Sequence, residues 1–100
     1  MLTSSFPMGQ VVATSAIQSL MSSDLSFHTF IYTSLMRHHD GDWGEVGESD
    51  HDSNEMALVT GCRLFSVYEC SSAHAVHGDC VWVITEADRS VTTVLWSREY

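Results

Sequence analysis

The chain has 100 residues and a formal net charge of −9, because 13 Asp and Glu residues are opposed by only four Arg and no Lys. This length predicts a single domain, residues 1–100, that buries about two thirds of the surface its unfolded chain exposes. Such an acidic balance argues against direct binding to nucleic acid or to an anionic membrane, and it favours a basic protein surface as partner. With 44% hydrophobic and 17% charged residues, the composition is that of a globular protein.

The three cysteines suggest the cellular compartment. Cys62, Cys70 and Cys80 are odd in number, and neither a basic leader nor a long apolar run precedes them. We therefore expect reduced thiols, no transmembrane span and a cytoplasmic protein in the host cell.

The first 40 residues predict two helices. Residues 1–8 lack periodicity and contain the only proline, so we expect a loose, flexible lead-in, then a short extended segment at residues 10–13. Ser15 is the expected N-cap of a short helix, and a second helix is expected to begin at Ser26. An apolar stripe at helical spacing marks this second helix: Phe27, Phe30, Ile31 and Leu35. Its last turn carries Arg37, His38 and His39, where cations suit the carbonyl end of the helix dipole.

Residues 40–55, here called the acidic segment, hold seven of the 13 carboxylates and no Lys or Arg. A stretch this charged cannot form a core, so it is solvated, capped onto a helix, bound to a cation or presented to a basic partner. Trp43 is its single large apolar residue and is expected to fix a glycine-rich loop to the core. The loop carboxylates Asp40, Asp42, Glu45 and Glu48 have no local explanation, and they are the leading candidates for partner binding together with Trp43.

The second half of the acidic segment predicts a third helix. Ser49 is the expected N-cap, with Asp52 placed three residues later as in a capping box. Asp50, Asp52 and Glu55 then lie near a helix N-terminus, where negative charge is locally favourable, and they also remain candidates for partner binding. The apolar side of this helix is expected to consist of Met56, Leu58 and Val59.

From Cys62 onward the hydrophobic period changes to two. The segments CRLFSVYEC, CVWVITE and VTTVLWS are rich in β-branched and aromatic residues, which predicts three strands. Their connections are short, and short connections favour antiparallel neighbours. The expected fold is α+β, with N-terminal helices packed on a C-terminal three-stranded antiparallel meander.

Several strings carry a family resemblance. HHDGDWGEV, GCRLFSVYE and above all VWVITEADRSVTTVL resemble a family of small uncharacterised acidic proteins often called plasmid-related or phage-related. The resemblance covers roughly residues 37–100, and the chain departs from the family in a longer, His- and Cys-rich loop at residues 71–79. It implies a mobile genetic element as the context and supplies no catalytic residues. Small acidic proteins of such elements often disarm host defence, as anti-CRISPR proteins do, and that step is an analogy.

Metal binding has two weak candidates. Asp50, Asp52 and Asn54 match the opening ligands of an EF-hand loop, but its central glycine and closing glutamate are missing, so we expect no such calcium site. Zinc prefers thiolate and imidazole ligands, and four lie within eleven residues of the chain. These are Cys70, His74, His77 and Cys80. The alternative is a polar hairpin loop flanked by strand cysteines, and no cofactor is then expected.

Other polar residues have structural and functional interpretations. Asp88 and Arg89 lie in a tight turn, where side-chain bonds would fix the backbone, and with Glu86 they also form a candidate partner-binding surface. No nucleophile elbow, phosphate loop or H-E-x-x-H motif is present, so we do not expect an enzyme.

These observations favour a non-catalytic acidic protein of a mobile genetic element. It would bind a basic surface of a host protein and inhibit a nucleic-acid-handling defence complex, in the manner of an anti-CRISPR protein. The alternative is a structural or regulatory interaction module, or a homodimer, whose acidity serves only solubility. A small zinc-binding protein is the third hypothesis.

Overall fold

The computed structural model describes residues 6–70 and 80–100. Within these ranges the elements are β1 (Gln10–Ala13), α1 (Ser15–Ser23), α2 (Leu25–His39), α3 (Glu48–Thr60), β2 (Leu64–Tyr68), β3 (Val81–Thr85) and β4 (Val91–Trp96). A short 3₁₀ turn, Ser97–Glu99, follows β4. None of the helices in the described part of the chain is long and apolar enough to cross a membrane.

The four strands form one mixed sheet in the order β1-β4-β3-β2. Neighbours among β2, β3 and β4 are antiparallel, whereas β1 pairs with β4 in parallel. The predicted α+β class is confirmed, but the predicted three-stranded antiparallel meander is wrong. The short QVVA segment joins the sheet because the amides of Gln10 and Thr14 donate to the carbonyls of Ser90 and Val94, each at 3.0 Å. A four-residue strand carries too little pattern to reveal such a distant partner.

Helices α1 and α2 begin one residue earlier than expected. Thr14 caps α1 by accepting a hydrogen bond from the Ile17 amide at 3.4 Å. Asp24 caps α2 by accepting from the Phe27 amide at 3.1 Å. Short polar side chains at these positions satisfy amides that the first helical turn leaves without a partner.

The main core lies between these helices and one face of the sheet. Ile17 of α1 and Phe27 and Ile31 of α2 pack with the inward side chains of β3 and β4, among them Val83 and Trp96. Phe27 stacks on Trp96 with ring centroids 5.4 Å apart. A second buried cluster consists of Phe6, Trp43, Ala57 and Leu64, and it joins α3 to β2.

The opposite face of the sheet carries an aromatic row. Trp82 packs edge-on against Phe65 at 4.8 Å and lies 5.2 Å from the ring of Tyr100. Arg63 lies over Tyr100 and donates to its hydroxyl at 2.7 Å. Arg89 likewise lies over the ring of Phe6, so two of the four arginines are engaged by an aromatic residue and, within the described residues, pair with no carboxylate.

Candidate functional site

The loop of the acidic segment is docked on the edge of strand β2. The amide of Glu45 donates to the carbonyl of Val67 at 2.7 Å, and the Val67 amide donates to the carbonyl of Trp43 at 3.1 Å. Gly44 between them has a φ of 73°, and a Cβ there would collide with the Val67 carbonyl and the ring of Tyr68. Only glycine allows this close approach, so the loop has a fixed position on the sheet.

Trp43 fixes the loop to the core, as the sequence predicts. Its side chain is 2% exposed and stacks on Phe6 at 6.2 Å. Its indole Nε1–H donates to Oε2 of Glu55 on α3 at 2.8 Å. Because this bond ties the loop to the helix, both halves of the acidic segment belong to one surface.

The apolar side predicted for α3 is confirmed for Leu58, which is half-buried against the cluster of Trp43 and Ala57, and is wrong for the other two residues. Met56 is 62% exposed and Val59 is 83% exposed, whereas the buried residues of the helix are Asn54 and Ala57. Asn54 faces inward because its amide group bonds the backbone of Phe65 on β2, a role that apolar periodicity does not reveal.

The start of α3 also differs from the prediction. The N-cap is Gly47, which makes no side-chain cap, and the helix begins at Glu48 rather than after Ser49. Glu48, Asp52 and Glu55 follow i, i+4 and i+7 spacing, so they share the outward face of the helix with the two exposed apolar residues. We call this set of five residues the α3 face. A groove of about 750 Å³ lies beside it, lined in part by Glu48, Asp52, Met56 and Arg63.

The carboxylates of the acidic segment are all exposed. Asp42 forms a bidentate ion pair with Arg37, at 2.7 and 3.1 Å. This hydrogen-bonded guanidinium holds the pKa of the Asp42 carboxyl below its usual range. Among the described residues, no other carboxylate of the segment lies within ion-pair distance of an arginine.

Two of the remaining carboxylates have histidine neighbours. The Nδ1 atom of His39 lies 3.6 Å from Asp40, and that of His51 lies 3.5 Å from Asp52, in pairs that are largely exposed. Exposed pairs of this kind contribute at most about 1 kcal/mol. The segment therefore keeps most of its negative charge available to a partner.

The turn between β3 and β4 has mainly structural contacts. Asp88 accepts from the amide and the hydroxyl of Ser90, at 3.0 and 2.6 Å. Arg89 has a φ of 62° and donates to the carbonyls of Cys62 at 2.6 Å and Ala57 at 3.1 Å. It thereby ties the turn to the C-terminal end of α3, away from the carboxylates of the N-terminal half. Glu86 is exposed beside them.

The predicted zinc ligands are only partly placed. His74 and His77 lie outside the described residues. Burial raises the pKa of the Cys70 thiol to about 11, with nearby Cys80 contributing. Across residues 6–70 and 80–100, no group of three or more possible metal ligands comes together.

Sequence reasoning missed the most unusual polar residue, His38. The prediction that it serves as a cation at the end of α2 is wrong, because its side chain is fully buried. It lies 5.2 Å from the ring of Phe6 and 5.7 Å from that of Trp43. This burial, with smaller contributions from the charges of His39 and Arg89, lowers the pKa of His38 to about 3. The burial of His38 was indicated by helical spacing, because His38 lies on the same side of α2 as Phe27 and Ile31.

A chain of hydrogen bonds determines the tautomer of this histidine. Thr92 donates its only hydroxyl proton to the carbonyl of Met8 at 2.7 Å, so it accepts from Thr85, also at 2.7 Å. Thr85 must then accept from Nε2–H of His38 at 2.9 Å, and Nδ1 accepts from the Ser66 hydroxyl at 2.5 Å. Because burial keeps the pKa of His38 at about 3, the ring is neutral near pH 7, and this chain then assigns its proton to Nε2. Since the Ser66 and His38 side chains are fully buried, this pair joins α2 to the sheet and is closed to a substrate.

Comparison with known proteins gives no match: no family model, no curated protein and no solved structure is significantly similar to the chain.

Proposed function

We propose that this protein is a non-catalytic inhibitor that binds a basic surface of a host protein through the acidic segment. One observation carries the proposal: seven exposed carboxylates lie on a loop and helix held together by Trp43, and a single one is paired with an arginine. A surface with this much uncompensated charge attracts a basic partner over a distance and accelerates association.

The α3 face supports binding rather than solubility alone. A helix face that served only solubility would carry polar residues throughout, yet Met56 and Val59 are among its most exposed side chains. Protein interfaces combine an apolar centre with a polar rim, and here two apolar side chains stand beside Glu48, Asp52 and Glu55. We therefore place the centre of the interface at Met56 and Val59.

The target class rests on the family resemblance and on chemistry. Proteins that handle nucleic acid hold a basic groove, which is the surface most complementary to a dense array of carboxylates. For a protein of a mobile genetic element, a defence complex of the host is the favoured target, as for anti-CRISPR proteins. This protein would then compete with nucleic acid for the same groove.

The proposal is tested with two variants that change the net charge equally. Each variant, Asp52→Lys or Glu69→Lys, removes one negative charge and adds one positive charge. Asp52 is exposed within the acidic segment, whereas Glu69 is exposed outside it. Tagged wild type and both variants are used to capture proteins from a host lysate at about 50 mM and about 500 mM salt, which differ strongly in screening. Mass spectrometry then identifies what is retained.

A specific partner is expected with wild type and Glu69→Lys at low salt, and its loss is expected with Asp52→Lys or at high salt. The purified partner should then show weaker nucleic-acid binding when wild-type protein is added. Equal capture by both variants would show that the acidic segment does not form the interface. Loss of the partner with both variants would show that capture depends on the net charge of the protein and not on the acidic segment.

A further inference from the structure

The two edges of the sheet differ in how their backbone groups are satisfied. At the β2 edge, Asn54 accepts from the Phe65 amide at 3.0 Å and donates to the Phe65 carbonyl at 2.6 Å. Val67, the next residue with groups directed outward, bonds the loop at Trp43 and Glu45. The β2 edge is therefore closed to further pairing.

The β1 edge is open. Gln10 and Thr14 direct their amides toward β4, and backbone groups of successive residues in a strand point to alternate sides. Val11 and Ala13 must therefore direct theirs away from the sheet. The Ala13 carbonyl accepts from the Gln18 side chain at 3.0 Å. In the described part of the chain, no hydrogen bond engages either group of Val11 or the Ala13 amide.

An apolar groove of about 600 Å³ follows this open edge, between β1 and the helices α1 and α2. Its base reaches the core at Ile31 and Val94, which are each 1% exposed. Its walls include three strongly exposed side chains: Val11 at 44%, Tyr32 at 55% and Met36 at 67%. The unpaired backbone groups of β1 and these apolar side chains therefore lie side by side at the same edge.

The lining of the groove includes one carboxylate. His39 and Asp40 belong to the lining, and Asp40 is the first residue of the acidic segment. A cationic group on an occupant would meet this carboxylate, whereas a second copy of a chain with net charge −9 would be repelled.

We propose that the β1 edge binds an extended peptide segment of a partner protein as a fifth strand of the sheet. The segment bonds the backbone of Val11 and Ala13, places alternate apolar side chains in the groove and sets a basic side chain near Asp40. A free strand edge beside an apolar helix face suits this mode of recognition. The site is separate from the α3 face, and the proposal does not depend on the function proposed for it.

The test uses a synthetic peptide of about eight residues with alternating leucine and lysine, a length typical of strands. Val11→Pro removes the outward amide while leaving the ladder to β4 intact, and Val11→Ala is its control, because it shortens the side chain and keeps the amide. Isothermal titration is expected to show binding to wild type, somewhat weaker binding to Val11→Ala because the groove wall is shortened, and about tenfold weaker binding to Val11→Pro than to Val11→Ala. Asp40→Asn should weaken binding, whereas Asp52→Lys on the α3 face should not.

A second measurement avoids any dependence on how Val11→Pro folds. Hydrogen exchange of wild-type protein is followed by NMR, and the amides of Val11 and Ala13 are expected to become protected when the peptide is added. Absence of peptide binding, or binding without this protection, would overturn the proposal. So would a wild-type dimer in sedimentation that Val11→Pro converts to a monomer, because the edge would then pair with a second copy.

Discussion

The burial of His38 makes the stability of this protein depend on pH between the folded and the unfolded pKa of its imidazole. The folded protein holds the pKa of this imidazole at about 3, well below its ordinary value of 6.5. Between these two pH values His38 is protonated in the unfolded chain and neutral in the folded protein. The stability that His38 contributes is therefore complete above pH 6.5 and is lost as the pH falls toward 3.

The magnitude follows from linkage between proton binding and folding. One extra proton on the unfolded chain lowers the free energy of unfolding by about 1.4 kcal/mol per pH unit. From about pH 7.5 to about pH 4.5 the loss is about 3 kcal/mol, since the unfolded histidine is only fully protonated in the lower part of that range. This is a large share of the roughly 5–15 kcal/mol typical of a domain. The low pKa of Asp42 adds a loss of the same sign, but only at more acidic pH.

Urea unfolding followed by circular dichroism at several pH values measures this loss. His38→Gln removes the titrating group while keeping one donor and one acceptor, and it is expected to abolish most of the dependence between about pH 7.5 and about pH 4.5. His51→Gln, on the exposed surface of α3, is the control and should retain the wild-type dependence.

If His38→Gln kept the full pH dependence of wild-type stability, the assignment of this dependence to His38 would be refuted. A readout on the wild type itself is the nitrogen-15 spectrum of its histidines, in which His38 should remain neutral with its proton on Nε2 at about pH 5.

Two further predictions concern side chains that bond the backbone. Asn54→Ala leaves the outward groups of Phe65 without partners and should cost about 2–3 kcal/mol in urea unfolding, whereas Ser53→Ala beside it should be nearly neutral. A cost below about 0.5 kcal/mol would mean that water replaces the amide. Arg89→Met keeps most of the apolar stem, loses the bonds to the carbonyls at the end of α3, and should lower the free energy of unfolding by about 1–2 kcal/mol. Arg98→Met, at an exposed position, is the matched control, and an equal loss in both would contradict the role of Arg89.

Sequence reasoning recovered the elements whose pattern is local. The stripe of Phe27 and Ile31 predicts α2, and period two predicts β2, β3 and β4. Trp43 was placed correctly because one large apolar residue in a charged loop has nowhere favourable to lie except the core. These inferences need only the periodicity and the hydrophobicity of neighbouring residues.

Burial was misassigned on α2 and α3 where a polar side chain replaces an apolar one in the interior. Asn54 occupies the buried side of α3 because it completes the hydrogen bonding of a strand edge, and its partner is 11 residues away. Met56 and Val59 consequently face outward, against their hydrophobicity. The partners of His38, at 28 and 47 residues, are even further along the chain. Pairings of this kind are fixed by the tertiary fold, so local periodicity misassigns both the buried polar residue and the apolar residues that it displaces.

The charge of the protein and the open edge of its sheet fit together. An apolar strand edge with unused backbone groups is a template for pairing between identical chains, which leads to aggregation. Most proteins block such an edge, as the acidic segment and Asn54 do at β2. At β1 we expect the protection to be electrostatic instead, because two copies that approach each carry a net charge of −9. Repulsion of this kind acts against a second copy and favours a basic segment, so an acidic protein can keep a strand edge available for a basic partner without pairing with itself.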